Sequence, residues 1–438
     1  MLRTTIDSFG ADERGGGTIL GLFWFMLLVG FCGLAVDITD GLRNRTMLQA
    51  TADSAALAGA IDLPSKSLAR STAVNYSIDN MNTDENGWVL DPNDVHIGAW
   101  NADTKSLDRN ALLPDAVMVT VYRAFKNNNP VASNFLRIIG LAAWNVRAQA
   151  VAQRFIPDCL RDGLIARGIV DISSNNNFVN EICIHGQQGV EMQNHNYYET
   201  GVNVSMPDIG TQLTIPSGGM ESNPGLPSAL RETSLDPRMV NHTDSIMADM
   251  LNPNSGVAPN YVNKSQPVIV VDEKFDLGTA QPGRIYHVQC KPNKNARIPN
   301  NAMIVNVVII AECQVSIGSG ASIFNSTIGS RSGGNGNITK ADVGIAANVQ
   351  LGAPDDCAPG GGVQLFSNAT IHTASSTRIN GVQMVAAGDI ELGAQDQGIN
   401  GISAQAGGNI KLTSNNQFGL CSGGAPNLFT VNYYRLVL

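Results

Sequence analysis

Residues 382–412 read VQMVAAGDIELGAQDQGINGISAQAGGNIKL. Short apolar doublets alternate with polar residues, and clusters of Gly, Asn and Gln part them. Ile390-Glu391-Leu392-Gly393 returns as Ile410-Lys411-Leu412, and earlier as Thr370-Ile371-His372 and Val349-Gln350-Leu351-Gly352, at steps of about 20 residues. A second series runs through Val363-Gln364-Leu365, Val382-Gln383-Met384 and Ile399 to Ile402. Val170-Asp171-Ile172 and Val190-Glu191-Met192 repeat the step again, each followed by an Asn-bearing turn (Asn175 to Asn177; Asn194 and Asn196). Strands this short, alternating with period two, cannot form helical repeats, and no leucine-rich consensus is present. The spacing predicts a mainly β chain whose residues 156–425 form a right-handed parallel β-helix. Its coils would bury apolar residues on their neighbours, and turn Asn residues would ladder between coils. About ten coils at ~4.8 Å each would reach on the order of 50 Å.

The repeat fades between Asp208 and Pro267, where seven prolines from Pro207 to Pro259 crowd the chain, so residues 208–267 are expected to be an insertion thrown out from the wall. Arg238 to Leu251 is its helix candidate. Residues 426–438, with Phe429, Tyr433 and Tyr434, are expected to cap the last coil.

Of 7 cysteines, six lie in the repeat region: Cys159, Cys183, Cys290, Cys313, Cys357 and Cys421. They form no C-x-x-C pair, which argues against a zinc ribbon or a thioredoxin-like site. An even set points to disulfides and an oxidising compartment. Cys159 with Cys183, and Cys290 with Cys313, are each about one coil apart, close enough for stacked positions to bridge. Cys357 and Cys421 remain, among the 15 connectivities six cysteines allow.

N-terminal to the repeat, residues 37–155 read as a helix plus a small sheet. LQATADSAALAGA, from Leu48 to Ala60, favours helix and ends before Pro64. Trp88 to Leu90, His96 to Trp100, Ala116 to Tyr122 and Trp144 to Arg154 read as strands, and Pro130 to Leu141 as a short apolar helix. Before them, residues 15–36 read GGGTILGLFWFMLLVGFCGLAV without a charge. About twenty apolar residues suffice to span a bilayer core as a helix. The run exceeds a signal-peptide core, no A-x-A site follows, and Phe31 stands before Cys32 where lipidation needs a small residue, so an uncleaved anchor is expected. Residues 1–14 would form a cytoplasmic tail. Arg3 and Arg14 balance Arg43 and Arg45, so charge does not orient the span; the cysteines favour an oxidising compartment for the bulk, for which the bacterial periplasm qualifies. Gly17 and Gly21 form a G-x-x-x-G, and Ala52, Ala55, Ala56 and Gly59 extend a small-residue face expected to pack partner helices.

Asp12-Glu13-Arg14-Gly15, the apolar span, GLAVD at Gly33 to Asp37, and LQATADSAALAGA together resemble the N-terminus of TadE/TadG-like Flp (Tad) pilus assembly proteins. The strand AVMVTV, the segment ending Ile139-Gly140-Leu141 and the strand to Ala152 extend the resemblance over about the first 155 residues. It implies a single-pass bacterial inner-membrane protein with a pilin-like α+β region and a periplasmic C-terminal domain. Its partners would be other Tad/Flp pilus assembly components, with peptidoglycan or outer-membrane components within reach. Two departures stand out. Leu22 occupies the place where a prepilin cut after Gly17 would need Glu, and no D-x-S-x-S metal motif is present.

Catalysis is not expected. Glycoside hydrolysis needs two flanking carboxylates. Asp355-Asp356 sits in a Pro/Gly/Cys turn, Asp272-Glu273 is the other adjacent acidic pair of the repeat region, and His185-Gly186 precedes the Asp pair, the reverse of the order in polygalacturonases. His96, His185, His195, His242, His287 and His372 are scattered, so no metal or cofactor is expected. A net charge of −9 gives no basic footprint for nucleic acid. The expected function is a membrane-anchored scaffold of a Flp/Tad pilus or secretion apparatus. The alternative is an envelope-anchored carbohydrate-binding or carbohydrate-active β-helix, which would carry an acidic and aromatic groove.

Overall fold

The computed structural model describes residues 16–160, 163–332, 342–358, 360–395, 398–419, 421 and 429–438. The expected tail 1–14, the Asp12 to Gly15 part of the family pattern and residues 426–428 of the expected cap lie outside the described residues. The protein is mainly β, with an N-terminal apolar helix and parallel sheets. It divides into two compact units, residues 1–155 with 432–438 and residues 156–431.

In the first unit one helix runs unbroken over Gly16–Ile61. Its upper half lies on an antiparallel sheet of Ser106–Asp108, Val95–Asn101, Ala116–Arg123, Val146–Phe155 and Tyr433–Leu436, in that order. Leu48, Ala52, Ala55, Ala56 and Ala60 meet Val117, Val119, Val121, Ala148, Ala150 and Ala152 in one buried cluster. Small side chains on both faces let helix and sheet approach closely. A second helix, Lys66–Asn80, to which the sequence reading assigned nothing, buries Ala69, Ala73 and Ser77. Trp88 to Leu90 forms no strand, although Val89 accepts the Tyr122 N–H at 2.7 Å. Of the helix expected over Pro130 to Leu141, only the 3-10 turn Leu136–Ile139 forms.

The expected cap 426–438 is corrected at its end. Tyr433–Leu436 joins the first unit's sheet, opposite Phe155 to Ala152, because its backbone pairs along the edge left by Val146–Phe155 while Tyr433 is buried and Tyr434 packs against the helix–sheet cluster. Only Phe429 to Val431 stay with the second unit, where Phe429 exchanges hydrogen bonds of 2.9 and 2.7 Å with the Gln383 amide.

In the second unit the chain visits three rows of parallel strands in turn. Gly163–Ala166, Ile169–Ile172 and Asn177–Phe178 are followed by Cys183–Gly186, Gly189–Met192 and Tyr197–Tyr198, with Cys183 opposite Gly163, a step of 20. The second row forms a 9-stranded sheet; the first and third belong to a 17-stranded one, in which Arg378–Ala386 and Ile399–Ala406 pair on both rows. Alternation sets burial. In Ile390–Leu392 the outer residues of the triplet face the core and Glu391 faces out.

The order of strands does not follow the sequence. Ile410 lies opposite Val170, and Ser403 to Ala406 lie opposite Gly163 to Ala166. The first strands of the unit are therefore stacked on its last ones. From there the rows continue through Cys183–Gly186 and Asn203–Met206.

The expected insertion 208–267 is corrected too. Leu213–Thr214 and Leu230–Glu232 still pair in parallel, with Val190-Glu191 and with Val204 to Met206. The departure begins only after them. Its 3-10 turn Arg238–His242 and helix Thr243–Met250 lie against the sheet rather than standing off. Met239, Met247 and Met250 cover Val308, Ile310 and Phe366, which explains why Val308–Ala311 is buried on both faces.

Buried amides ladder through the turns. The Oδ1 or backbone partners run Gln395, Asn416, Asn176, Asn196, Asn223: each backbone N–H donates to the next amide oxygen at 2.7 to 3.0 Å. The Nδ2 groups of Asn176, Asn196 and Asn416 return to Ser173, Gln193 and Thr413 carbonyls within their own turns. Inside, Phe418, Phe178 and Tyr198 stack with centroids 5.0 and 5.1 Å apart.

Candidate functional site

The helix Gly16–Ile61 turns one face toward residues 131–144 where its apolar half gives way to its packed half. Gly33, Asp37, Gly41, Asn44 and Leu48 recur at three- and four-residue steps, which a helix places on one side. A Cβ on Gly33 would fall 2.7 Å from Phe135 Cβ, and one on Gly41 would meet the Trp144 ring at 3.3 Å. Gly33 is thus the residue that lets Phe135 seat. Between these glycines, Asp37 is buried at 1% exposure. Its carboxylate accepts the backbone N–H groups of Asn134, Phe135 and Leu136 at 2.7, 2.9 and 2.7 Å. Charge-assisted bonds of this kind are the strong ones, and here they fix a loop about a hundred residues away. Above it, Arg123 Nη1 donates to Asn44 Oδ1 at 2.7 Å.

As a family pattern GLAVD gives no sign of the loop seat, so sequence reasoning misses the roles of Gly33, Asp37 and Gly41. Their spacing was the available signal. Of the expected small-residue packing set, Ala52, Ala55 and Ala56 are fully buried in the first unit's own core. Gly59 is pressed there as well, since a Cβ would meet the Ala69 carbonyl at 2.8 Å. These four serve packing within the unit. Gly17 and Gly21 have no atom within 4 Å of an added Cβ and remain open.

The six cysteines pair as Cys159–Cys183, Cys290–Cys313 and Cys357–Cys421, with Cα separations of 5.0, 5.9 and 5.7 Å. Gly401, at φ +64°, passes against the last bridge, where a side chain would strike both sulfurs. Cys32 is free and exposed on the helix.

The remaining candidates separate. Asp355 and Asp356 lie exposed in a turn, where Asp355 Oδ1 accepts the Ala358 N–H at 3.2 Å. His185 is fully buried, with Nδ1 2.9 Å from Ser205 Oγ and Nε2 accepting from the Leu235 N–H at 3.2 Å. Burial pushes its imidazole below the ordinary value. His195 is exposed in a left-handed turn. Among the described residues no group of three or more His, Cys, Asp or Glu is placed to hold a metal ion. On the outer face of the 9-stranded sheet, His372, Glu391, Lys411, Asp171 and Glu191 occupy successive registers and line a shallow groove. Glu391 lies 3.8 Å from Lys411 Nζ and 3.9 Å from His372 Nε2, so its charge is partly answered. Among the described residues no Phe, Tyr or Trp lines that groove.

Comparison with known proteins adds two matches. Residues 15–62 match the family model described as Putative Flp pilus-assembly TadE/G-like. That stretch contains Gly33, Asp37 and Gly41. No curated protein and no solved structure matches the chain. Residues 163–422, well over half of the chain and nearly the whole parallel-stranded unit, match the model described as Domain of unknown function (DUF7867). The chain belongs to the DUF7867 family and carries a TadE/G-like domain at its N-terminal end.

Proposed function

We propose that this protein is a single-pass, membrane-anchored scaffold of a Flp/Tad-type pilus assembly or secretion apparatus, with its bulk in the bacterial periplasm. The carrying observation is the TadE/G-like match over the same residues that form the apolar helix and the loop seat. The helix is long and apolar enough to cross a membrane. The three bridged cysteine pairs suit an oxidising compartment. The first unit acts as a pilin-like base.

The second unit is a right-handed parallel β-helix. Its support is the return of the chain to the same three rows every 20 residues or so, with parallel register; strand twist favours the right hand for such connections. Nine strands of one row, at ~4.8 Å each, give a rod on the order of 40 Å. Its role is spacing and support rather than catalysis; the groove gathers the carboxylates of Asp171, Glu191, Asp389 and Glu391 around Lys411 but offers a sugar no Phe, Tyr or Trp platform. Gly17 and Gly21 are the open small residues left for a partner helix. Other Tad/Flp components are the partners, and peptidoglycan or outer-membrane components lie in the same compartment.

Two measurements test this. Alkaline phosphatase fused at Leu438 is expected to be active; an inactive fusion would overturn the orientation. Replacing residues 15–36 with an unrelated apolar span is expected to keep the folded second unit but abolish copurification with the pilus machinery. Normal piliation after the swap, or after deletion of the gene, would reject the scaffold role.

A further inference from the structure

We propose that the loop 133–141 is a second membrane-contacting element. Phe135, Ile138, Ile139 and Leu141 insert into the headgroup–acyl boundary of the bilayer that the long helix spans. This rests on the reading of that helix as a membrane span. The loop leaves the two-residue ribbon Val131–Ala132 and Ala143–Trp144. It turns its apolar side chains outward, Ile138 at 80% and Ile139 at 72% exposure. They are continuous with exposed side chains of the helix: Leu136, Ile138 and Ile139 line one apolar surface with Met26, Gly30 and Leu34. What covers the helix there covers the loop.

The level is fixed by contacts already described. Asp37 holds the start of the loop, and Gly33 seats Phe135 one turn lower. From Asp37 down to Gly30 is about 10 Å at 1.5 Å per residue. That matches the ~5–10 Å to which interfacial apolar helices sink.

The backbone is prepared for lipid. Lipid leaves no partner for an open N–H, so such groups must be answered from within. Asp37 takes those of Asn134, Phe135 and Leu136. Carbonyls of Phe135, Arg137 and Leu136 take those of Ile138, Gly140 and Leu141, and Ser133 bonds Ala142. The Ser133 hydroxyl donates to the Leu141 carbonyl. Gly140, at φ +91°, makes the turn that brings Leu141 back. Arg137, the one charged side chain of the loop, has a stem long enough to keep its guanidinium among headgroups.

The test uses the full chain with Cys32→Ala, so that an introduced thiol is the labelling site. Ile138→Cys, Ile139→Cys, Val29→Cys and Lys66→Cys are each labelled with an environment-sensitive fluorophore and reconstituted in phosphatidylcholine vesicles. Lipids spin-labelled on the upper acyl chain are the quencher. Quenching of about twofold or more is expected at 138 or 139 and at 29, with little at 66, beyond the far end of the helix. Quenching at 29 without quenching at 138 and 139 overturns the inference and leaves the span standing. Absence of quenching at all sites overturns both. A blue-shifted but unquenched probe at 138 and 139 means that protein, such as a second copy, covers the loop, and also rejects lipid insertion.

Discussion

Asn416 donates its backbone N–H to Asn176 Oδ1 at 3.0 Å, although 240 residues separate them. Asn416 Nδ2 reaches the same oxygen at 3.0 Å. With Phe418 stacked on Phe178 beneath, this pair joins the last strands of the parallel unit to its first. Asn176→Ala would leave the buried Asn416 N–H without its acceptor and take the Asn176 amide from the half-buried Ser173 carbonyl. A buried group left unpaired costs about 1–3 kcal/mol. The expected result is a midpoint for urea unfolding clearly lower than that of an exposed control such as Asn254→Ala, with hydrogen exchange rising at both 176–178 and 416–418. Protection lost on one side alone would contradict the join.

Disulfides differ in the length of chain they close. Cys357–Cys421 spans 64 residues, whereas Cys290–Cys313 spans 23. On chain-entropy grounds the longer bridge contributes about 4 kcal/mol and the shorter about 3 kcal/mol. Replacing the first pair by alanine should lower the denaturation midpoint more than replacing the second. Non-reducing peptide mapping should recover all three bridges, with Cys32 as the free thiol.

Acid should weaken the second unit through His185. Its folded-state value is depressed by burial, so the unfolded chain binds more protons between that value and about pH 6.5. The contribution is present in full above pH ~6.5 and is lost as pH falls below it. His185→Gln removes this titration. Unfolding measured at pH 7 and pH 5 should show a smaller loss for the variant than for the parent; equal losses would assign the acid sensitivity elsewhere.

Asp37→Ala removes one acceptor from three N–H groups at once. The loop contact is expected to weaken, since bonds to a charged group are worth more than neutral ones. Amide exchange at Asn134, Phe135 and Leu136 should accelerate, while the buried sheet at Val117 to Val121 keeps its protection. Unchanged exchange at the three amides would show that the carboxylate does not hold the loop.

The parallel rows were legible because neighbouring strands carry the same short alternating pattern: Val170-Asp171-Ile172 and Ile410-Lys411-Leu412 look alike because they are adjacent registers of one sheet. Their adjacency itself was not legible. A period says which residues occupy equivalent places, not which equivalent places touch. Asn175 to Asn177 marked a turn, but Asn223 and Asn416, its distant continuation, stood in no obvious series. Proline density does not mark the end of pairing between Asp208 and Pro267, because short strands such as Leu213–Thr214 fit between prolines. At the loop seat, the length and apolarity of the helix were plain, and so were the family residues Gly33 to Asp37. The partner of Asp37 was hidden because a carboxylate at the end of an apolar run reads equally well as a simple boundary. Only tertiary structure brings Asn134 to Leu136 to it.

The strand Tyr433–Leu436 closes the first unit's sheet beside Val146–Phe155, and Arg435 reaches Gln153 at 3.1 Å across 282 residues. During synthesis, then, the sheet on which the long helix rests stays one edge short while the entire intervening repeat is made. A ribosome stalled inside the repeat, or a frameshift near its end, would damage the region closest to the anchor as well as the part it interrupts. Tyr433–Leu436 thereby shields an edge laid down long before it: a chain interrupted ahead of Tyr433 carries the open edge of Val146–Phe155, a ready template for wrong pairing.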